Sequence, residues 1–126
     1  MDRFEDERGV IQDLFGPVDA VTRITSVKGA IRGNHFHKAT TQWTYVMSGL
    51  LRVVTEGSGH SGATGPRESR DYAPGEIACE LPGVSHAWEA LEDTDVMVFT
   101  VGPRSGAAYE TDTFRLEIPL LGCAPS

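Results

Sequence analysis

Short runs of β-branched and apolar residues, separated by glycine and proline, recur along the whole chain. Within them apolar and polar side chains tend to alternate, which is typical of strands with one buried face. No long segment shows the period of an amphipathic helix. The predicted strands are Val10–Leu14, Ala20–Val27, His35–Phe36 with its flanks, Thr41–Met47, Leu50–Thr55, Glu76–Glu80, His86–Ala90 and Val96–Val101. Short strands at this spacing indicate an all-β sandwich or barrel.

One stretch between these strands has low complexity. Residues 57–66 read GSGHSGATGP, and such a composition predicts a mobile loop in which His60 is solvated. No internal repeat or linker is visible in the sequence. We therefore predict one domain over residues 1–121, followed by a short tail at 122–126.

Length and charge narrow the class of protein. A chain of 126 residues can bury one core, and its net charge of −7 without a Lys/Arg cluster argues against binding nucleic acid. The first eight residues are rich in charge, and no apolar run approaches the length of a membrane span, so we predict a cytoplasmic protein without membrane contact. Cys79 and Cys123 do not form a disulfide framework.

The candidate chemistry lies in two segments that share a glycine-bounded spacing. The segments are Gly29-x5-His35-x-His37-x4-Gln42-x6-Gly49 and Gly75-x5-Leu81-Pro82-Gly83-x2-His86. In a strand His35 and His37 point to the same side, whereas Gln42 can join them only if a turn or bulge intervenes near residues 38–41. Three imidazoles and an amide in one pocket are suited to binding a metal or to acid–base chemistry.

These two segments resemble the two signature motifs of the cupin superfamily. The resemblance implies an all-β, single-domain cupin, that is, a double-stranded β-helix or jelly-roll barrel. It also implies His35, His37, Gln42 and His86 as ligands of one divalent transition metal (Zn, Fe, Ni, Mn or Cu). Gln42 replaces the family's usual Glu, Leu81 precedes Pro82 at the second turn, and Ala90 replaces a closing Asn. Neutral ligands alone would leave the charge of the ion uncompensated.

A second resemblance covers Arg32-Gly33-Asn34-His35-Phe36-His37-Lys38-x3-Gln42. This run is similar to one in cupins that isomerise nucleotide-linked 4-keto-6-deoxy sugars. The run Tyr109-x2-Asp112-x2-Arg115 also resembles their C-terminal region, and residues 4–9 (FEDERG) resemble the start of the related 3,5-epimerases. The resemblance implies that His35 and His37 transfer protons without a metal, and that Tyr109 and Arg115 bind substrate.

Further candidates come from the residue types themselves. Arg32 suits the diphosphate of a nucleotide because a guanidinium can bind phosphate oxygens in pairs, and Arg23 competes for that role. Tyr45 could act as a general acid, and Trp43 could stack on a base or sugar, although both residues also fit simple packing.

Three functions therefore remain open. The first is a sugar-nucleotide isomerase or epimerase, the second a metal-dependent cupin acting on a small molecule or natural product, and the third a non-catalytic cupin that binds a small molecule. His86 favours the second function, whereas the resemblances outside the histidines favour the first. A homodimer is expected because exposed sheet edges need covering.

Overall fold

The structure, a computed structural model, describes residues 3–57, 66–102 and 111–122. Almost all regular structure in these ranges is β-strand. The strands are β1 (Arg3–Asp6), β2 (Gly9–Gln12), β3 (Ala20–Ser26), β4 (Ile31–Phe36), β5 (Thr41–Ser48), β6 (Leu51–Glu56), β7 (Arg67–Tyr72), β8 (Ile77–Glu80), β9 (Ser85–Ala90), β10 (Thr94–Val101) and β11 (Phe114–Arg115). The prediction of an all-β protein is confirmed.

The strands form three sheets in which all neighbours are antiparallel. The orders are β1-β2, β3-β10-β5-β8 and β11-β4-β9-β6-β7. Since β4, β6 and β9 lie in one sheet while β5, β8 and β10 lie in the other, the chain crosses repeatedly between the two larger sheets. Each of the two histidine-bearing segments therefore contributes to both sheets.

The core lies where the two larger sheets pack together. On β5 the burial alternates, with Gln42, Thr44 and Val46 buried and the residues between them half-buried. The main apolar cluster consists of Val46, Leu51, Val53, Ala78, Trp88, Val96 and Val98. Both sheets contribute to it, so the sheets are held together by burial of apolar surface.

The last described segment forms a second, smaller apolar cluster. Leu120 packs with Val54 and Ala87, which alternate with the core-facing Val53 and Trp88 on their strands. Leu116 and Leu121 pack against this cluster. Residues 116–121 thereby cover the reverse face of the five-stranded sheet.

The eight predicted strands are present with shifted ends, and three further strands were not predicted. β1 and β7 do not show alternating apolar and polar residues because they are almost entirely exposed, and β11 has only two residues. Residues 58–65 of the predicted loop and residues 123–126 of the predicted tail lie outside the described ranges. No helix in the described ranges has the length and apolar character needed to cross a membrane.

An irregularity in β4 sets which side chains face the interior. The register against β9 shifts between Gly33 and His35, and Asn34 has a φ of 57°. Arg32 pairs with Trp88 and His35 pairs with His86, although Arg32 and His35 are an odd number of residues apart. The bulge thus brings both side chains to the same face.

Candidate functional site

The structure brings the three predicted histidines together at the inner face of the five-stranded sheet. The ring centroid of His35 lies 4.8 Å from that of His37 and 4.7 Å from that of His86. The His37 and His86 centroids are 5.6 Å apart. His35 and His86 are register partners on β4 and β9, so their proximity follows from strand pairing.

His37 lies just after β4 and is oriented by the C-terminal part of the chain. Its Nδ1 lies 2.9 Å from the backbone carbonyl oxygen of Asp112. A carbonyl oxygen can only accept, so Nδ1 carries the proton and donates this hydrogen bond. In the neutral ring the other nitrogen, Nε2, is then the basic atom.

The carboxylate of Asp112 fixes the turn between His37 and Gln42. It accepts hydrogen bonds from the backbone N–H groups of Lys38 and Ala39 and from the hydroxyl of Thr40. Asp112 is 7% exposed, so these bonds are shielded from solvent. The turn that Gln42 requires in order to share a cavity with His35 is therefore held by one buried carboxylate.

Burial keeps two of the three imidazoles neutral at physiological pH. It lowers the pKa of His35 to about 3, with smaller effects from His86, His37 and Arg115. It lowers the pKa of His86 to about 4, with a further contribution from His37. Neutral imidazoles can act as hydrogen-bonding groups, bases or metal ligands.

A fourth ionisable group lies beside the cluster. Glu80, 2% exposed, is the register partner of Gln42 and accepts hydrogen bonds from Gln42 Nε2 (2.5 Å) and Trp88 Nε1 (2.8 Å). Burial raises its pKa to about 7, while the indole of Trp88, nearby His37 and the amide of Gln42 oppose the shift. Its Oε2 is 3.7 Å from His86 Nε2, too long for a hydrogen bond.

The contact between Glu80 and His86 is not an ion pair. The pKa of His86 is lowered to about 4 and that of Glu80 is raised to about 7, so at no pH are both groups predominantly charged. Glu80 therefore acts on the site mainly through the two hydrogen bonds that it accepts, one from Gln42 and one from Trp88.

A cavity of about 210 Å³ opens onto part of this cluster. Its walls are formed by Ile24, Arg32, Gly33, His35, Gln42, His86 and Trp88, whereas His37 and Glu80 are not among its lining residues. Arg32 also borders a shallower groove of about 450 Å³ that runs along the end of the four-stranded sheet. Its guanidinium donates to Ser26 Oγ and to the carbonyl oxygen of Thr25. Arg32 thus lies between the cavity and the groove.

Arg115 lies close to the cluster as well. It is the register partner of His35 on β11 and is solvent-exposed. Its positive charge is among the causes that lower the pKa of His35. Arg32 and Arg115 therefore both place a positive charge near the imidazoles.

Three predicted site residues lie away from both the cavity and the histidine cluster. Two of them, Tyr45 and Trp43, alternate with Gln42 and Thr44 on β5 and so lie on the outer face of the four-stranded sheet. There Phe15 packs against Trp43 at 5.7 Å and against Phe99 at 4.3 Å between centroids.

The third, Arg23, also lies on an exposed surface and forms an ion pair with Asp95 at 2.7 Å. Strand alternation separates Arg23 from its neighbour Ile24, which does line the cavity. Tyr109 lies outside the described residues.

Two residues of the site, Glu80 and Asp112, were missed from the sequence. The sequence did contain an indication of the role of Glu80. This residue ends the apolar strand run Ile77-Ala78-Cys79, and a carboxylate buried in such a strand needs hydrogen-bond partners. Asp112 lay in the C-terminal run assigned to substrate binding, whereas the structure gives it a role in holding the backbone. Its partners are more than 70 residues away in sequence, and no local pattern identifies them.

The histidine cluster fits a metal ion in ligand type. The candidate ligand atoms of His35, His37 and His86 lie within 4.8 Å of one another, and Nδ1 of His35 is buried without a hydrogen bond from the described residues. A tetrahedral ion with bonds of about 2.1 Å holds its ligand atoms about 3.4 Å apart, so the three imidazoles would have to move closer together to bind one. Gln42 borders the same cavity, but its amide nitrogen is engaged by Glu80.

Solved structures with a similar fold include two sugar-nucleotide enzymes. The dTDP-4-dehydrorhamnose 3,5-epimerase from Sulfolobus tokodaii is 22% identical, with a TM-score of 0.67 over 82% of this chain and 68% of that chain. A double mutant of the QdtA 3,4-ketoisomerase from Thermoanaerobacterium thermosaccharolyticum, in complex with TDP, is 20% identical, with a TM-score of 0.68 over 90% of this chain and 82% of that chain.

A third similar structure is the capsular polysaccharide assembling protein CapF from Staphylococcus aureus. It is 20% identical with a TM-score of 0.65, and the match covers 92% of this chain but only 34% of that chain. At these identities the likeness concerns the fold. No significant match was found among curated protein sequences.

The model of the cupin family matches residues 17–116. This range contains both glycine-bounded segments, the three clustered histidines and every described strand from β3 to β11. Of the described strands it leaves out only β1 and β2. The predicted family is therefore confirmed, and the chain belongs to the cupin family.

Proposed function

We propose that this cupin is an isomerase or epimerase that transfers protons on a nucleotide-linked keto-deoxy sugar. The observation that carries the proposal is the contact of His37 with His35, which lines the cavity, with Nε2 of His37 left as the basic atom by the hydrogen bond to Asp112. Two similarly folded proteins are named as enzymes of such sugars, which supports the substrate class.

His37 is the residue best placed to accept a proton. In the proposed step Nε2 takes the proton from the carbon next to the keto group, and the electrons of the broken C–H bond form an enolate. The imidazolium returns the proton to carbon directly, or passes it to His35, which then delivers it, so atoms and charge balance without a redox partner. Return at the same carbon on the other face gives epimerisation. Return at the former keto carbon gives ketoisomerisation, with the hydroxyl group on the deprotonated carbon giving its proton to the former keto oxygen by way of an enediol.

The two arginines account for recognition of the nucleotide. Arg32 borders both the cavity and the adjoining groove, so a sugar in the cavity would place its diphosphate near this guanidinium. A diphosphate near Arg115 would also offset the positive charge that helps lower the pKa of His35. Substrate binding would then make His35 a better proton carrier than it is in the free protein.

The test is exchange of hydrogen between solvent and sugar. We expect deuterium from heavy water to enter a thymidine-diphosphate-linked 4-keto-6-deoxyhexose next to its keto group, and the His37→Ala variant to lose this exchange. Absence of exchange with such substrates would contradict the proposal. Binding of the nucleotide sugar without exchange would support a non-catalytic binding cupin.

A metal-dependent cupin enzyme is the second candidate, and the proximity of three imidazoles favours it. His35, His37 and His86 would hold a divalent transition ion, which would supply a Lewis acid to a small-molecule substrate. The chain's own contribution would be to keep the ligands neutral through burial and to keep water out. Glu80 would place a carboxyl group near this otherwise neutral ligand set.

Metal analysis of protein purified without a histidine tag separates these two candidates. A transition metal bound near one ion per chain, and lost in His86→Ala together with thermal stabilisation, would support the metal-dependent enzyme. If His86→Ala melts like the wild type both with and without a chelator, the metal candidate is wrong. Full exchange activity after chelation would likewise favour metal-free proton transfer.

We also propose that the protein acts as a homodimer. The outer face of the four-stranded sheet carries Val21, Trp43, Tyr45, Met97 and Phe99, although a sheet in a monomer normally presents polar residues to water. Val21 is 52% exposed there. A second copy would cover this apolar surface.

A further inference from the structure

The amide of Gln42 has a defined orientation in the structure. Its Nε2 donates to Glu80 Oε2, so its carbonyl oxygen, Oε1, is directed away from that carboxyl group. Gln42 borders the cavity beside His35 and His86. Among the described residues, none donates a hydrogen bond to Oε1 of Gln42.

Glu80 has no freedom to release this amide. One of its oxygens accepts from Trp88 Nε1 and the other from Gln42 Nε2, and Glu80 is almost fully buried. Turning the amide over would place its carbonyl oxygen against another acceptor whenever Glu80 is ionised. The hydrogen bond of Trp88 in turn prevents rotation of the carboxyl group.

We propose that Glu80 is a positioning residue that directs the carbonyl oxygen of Gln42 into the cavity, where it accepts a hydrogen bond from a hydroxyl group of the bound sugar. This inference rests on the proposed function and adds a specificity element to the same site. It assigns different roles to the two register partners, because Gln42 contacts the substrate while Glu80 contacts only the protein.

The variant Glu80→Gln separates orientation from stability. Its new amide can accept from Trp88 through the oxygen and donate through the nitrogen to Gln42, so every hydrogen bond can be kept if the amide of Gln42 turns over. The cavity then presents an N–H donor where the wild type presents an acceptor. The expected result is a folded protein, no less stable than the wild type near pH 7, with an altered recognition group.

We expect Glu80→Gln to raise the KM for a thymidine-diphosphate-linked 4-keto-6-deoxyhexose about 10-fold or more, which corresponds to one lost hydrogen bond. The kcat should change less, because the contact serves binding. The double variant Gln42→Glu/Glu80→Gln should recover most of the KM, since a carboxylate oxygen again faces the cavity. Glu68→Gln, an exposed change of the same type, serves as the control.

A second measurement does not depend on turnover. In the wild type the side-chain N–H₂ protons of Gln42 should exchange slowly with solvent, because the group is buried and bound to Glu80. In Glu80→Gln they should exchange faster. A wild-type KM in Glu80→Gln, equal exchange rates, or failure of the double variant to recover would each overturn the role of Glu80.

These measurements also distinguish the inference from the proposed function. If no sugar nucleotide is turned over, the proposed function fails, and the exchange rates still report whether Glu80 orients Gln42. If turnover occurs but the KM and exchange rates of Glu80→Gln equal those of the wild type, the inference alone fails.

Discussion

The three histidines of the site are held in different ways, and this predicts different effects of removing each. His37 is oriented by the backbone of Asp112, whereas His35 is a weaker base because its pKa is lowered to about 3. His37→Ala should therefore reduce kcat about 10²-fold or more in a protein that still folds, with a lower melting temperature because a buried, hydrogen-bonded ring is removed. His60→Ala, a change in the glycine-rich stretch, is the matched control. Equal kcat in the wild type and His37→Ala would contradict the assignment of His37 as the base.

Three buried groups make stability depend on pH in opposite directions. The lowered pKa values of His35 and His86 mean that the unfolded chain binds protons first, so stability falls as pH drops below about 6.5. The raised pKa of Glu80 means that the folded state binds its proton first, so between about 4.5 and 7 this group adds stability as pH drops. Protonation of Glu80 thus partly offsets the loss of stability that protonation of His35 and His86 causes as pH drops.

The Glu80→Gln variant should therefore lose more stability on acidification than the wild type does. Between pH 6.5 and 5 the free energy of unfolding of the variant should fall more steeply than that of the wild type, by about one proton in slope. Urea unfolding at several pH values measures this difference, and the effects of other carboxylates cancel in the comparison. Parallel curves would show that the pKa of Glu80 is not raised in the folded state.

The sequence predicted the histidine cluster but not the groups that orient it. His35, His37, Gln42 and His86 could be identified because spacing and strand alternation are local. Glu80 and Asp112 could not, because their roles depend on hydrogen bonds between segments distant in sequence. Tyr45 and Trp43 show the converse, since an odd separation from Gln42 on a regular strand already places them on the other face.

At the scale of elements, the turn after β4 depends on one carboxylate. Asp112→Asn would keep one acceptor oxygen for the backbone N–H groups of Lys38 and Ala39, but it would remove the negative charge that strengthens these bonds and turn an N–H₂ group toward the hydroxyl of Thr40. The free energy of unfolding should fall by about 1–3 kcal/mol, and kcat should fall with it because His37 loses its fixed position. Asp71→Asn removes only the exposed pair with Arg52 and should cost no more than about 1 kcal/mol. Similar losses in the two variants would contradict this role.

The turn between β5 and β6 depends on the absence of a side chain. Gly49 has a φ of 89°, and a Cβ there would lie 2.2 Å from the backbone oxygen of Asp93. Gly49→Ala should lower the free energy of unfolding by about 2–4 kcal/mol, because strain and overlap add. Gly16→Ala, where a Cβ meets nothing within 4 Å, should change it by about 0.5 kcal/mol or less. Chemical denaturation of both variants checks the comparison.

Strands with β-branched or apolar residues could be predicted from the sequence, including the exposed β2, and polar or very short strands could not. β7 reads RESRDY and lies at the edge of its sheet, where hydrogen bonding to β6 forms it without an apolar face. β11 is too short for any periodicity and forms because it pairs with β4. Both strands therefore form because they pair with another strand, which the local sequence pattern does not show.

For the whole molecule, the apolar outer sheet face predicts the oligomeric state. The wild type should sediment as a dimer of the 13.6 kDa chain, since pairing would remove this face from water. Val21→Glu should shift it toward the monomer, because a charge would be buried at the interface. Val27→Glu, at a residue that is 72% exposed just beyond β3, should leave the dimer intact. A monomeric wild type would contradict the proposed dimer.

The contacts of Asn34 and Asp112 also set an order of events during synthesis. The side chain of Asn34, at the bulge that turns His35 inward, binds the backbone of Leu120 and Leu121, and Asp112 holds the turn after His37. The ribosome delivers these partners some 72 to 87 residues after the groups they restrain. A nascent chain released from the tunnel only as far as β10 would have most of both sheets and could pair His35 with His86, but it would lack the groups that fix the bulge and orient His37. The histidine site is thus completed late, in a step that can be separated from formation of the barrel.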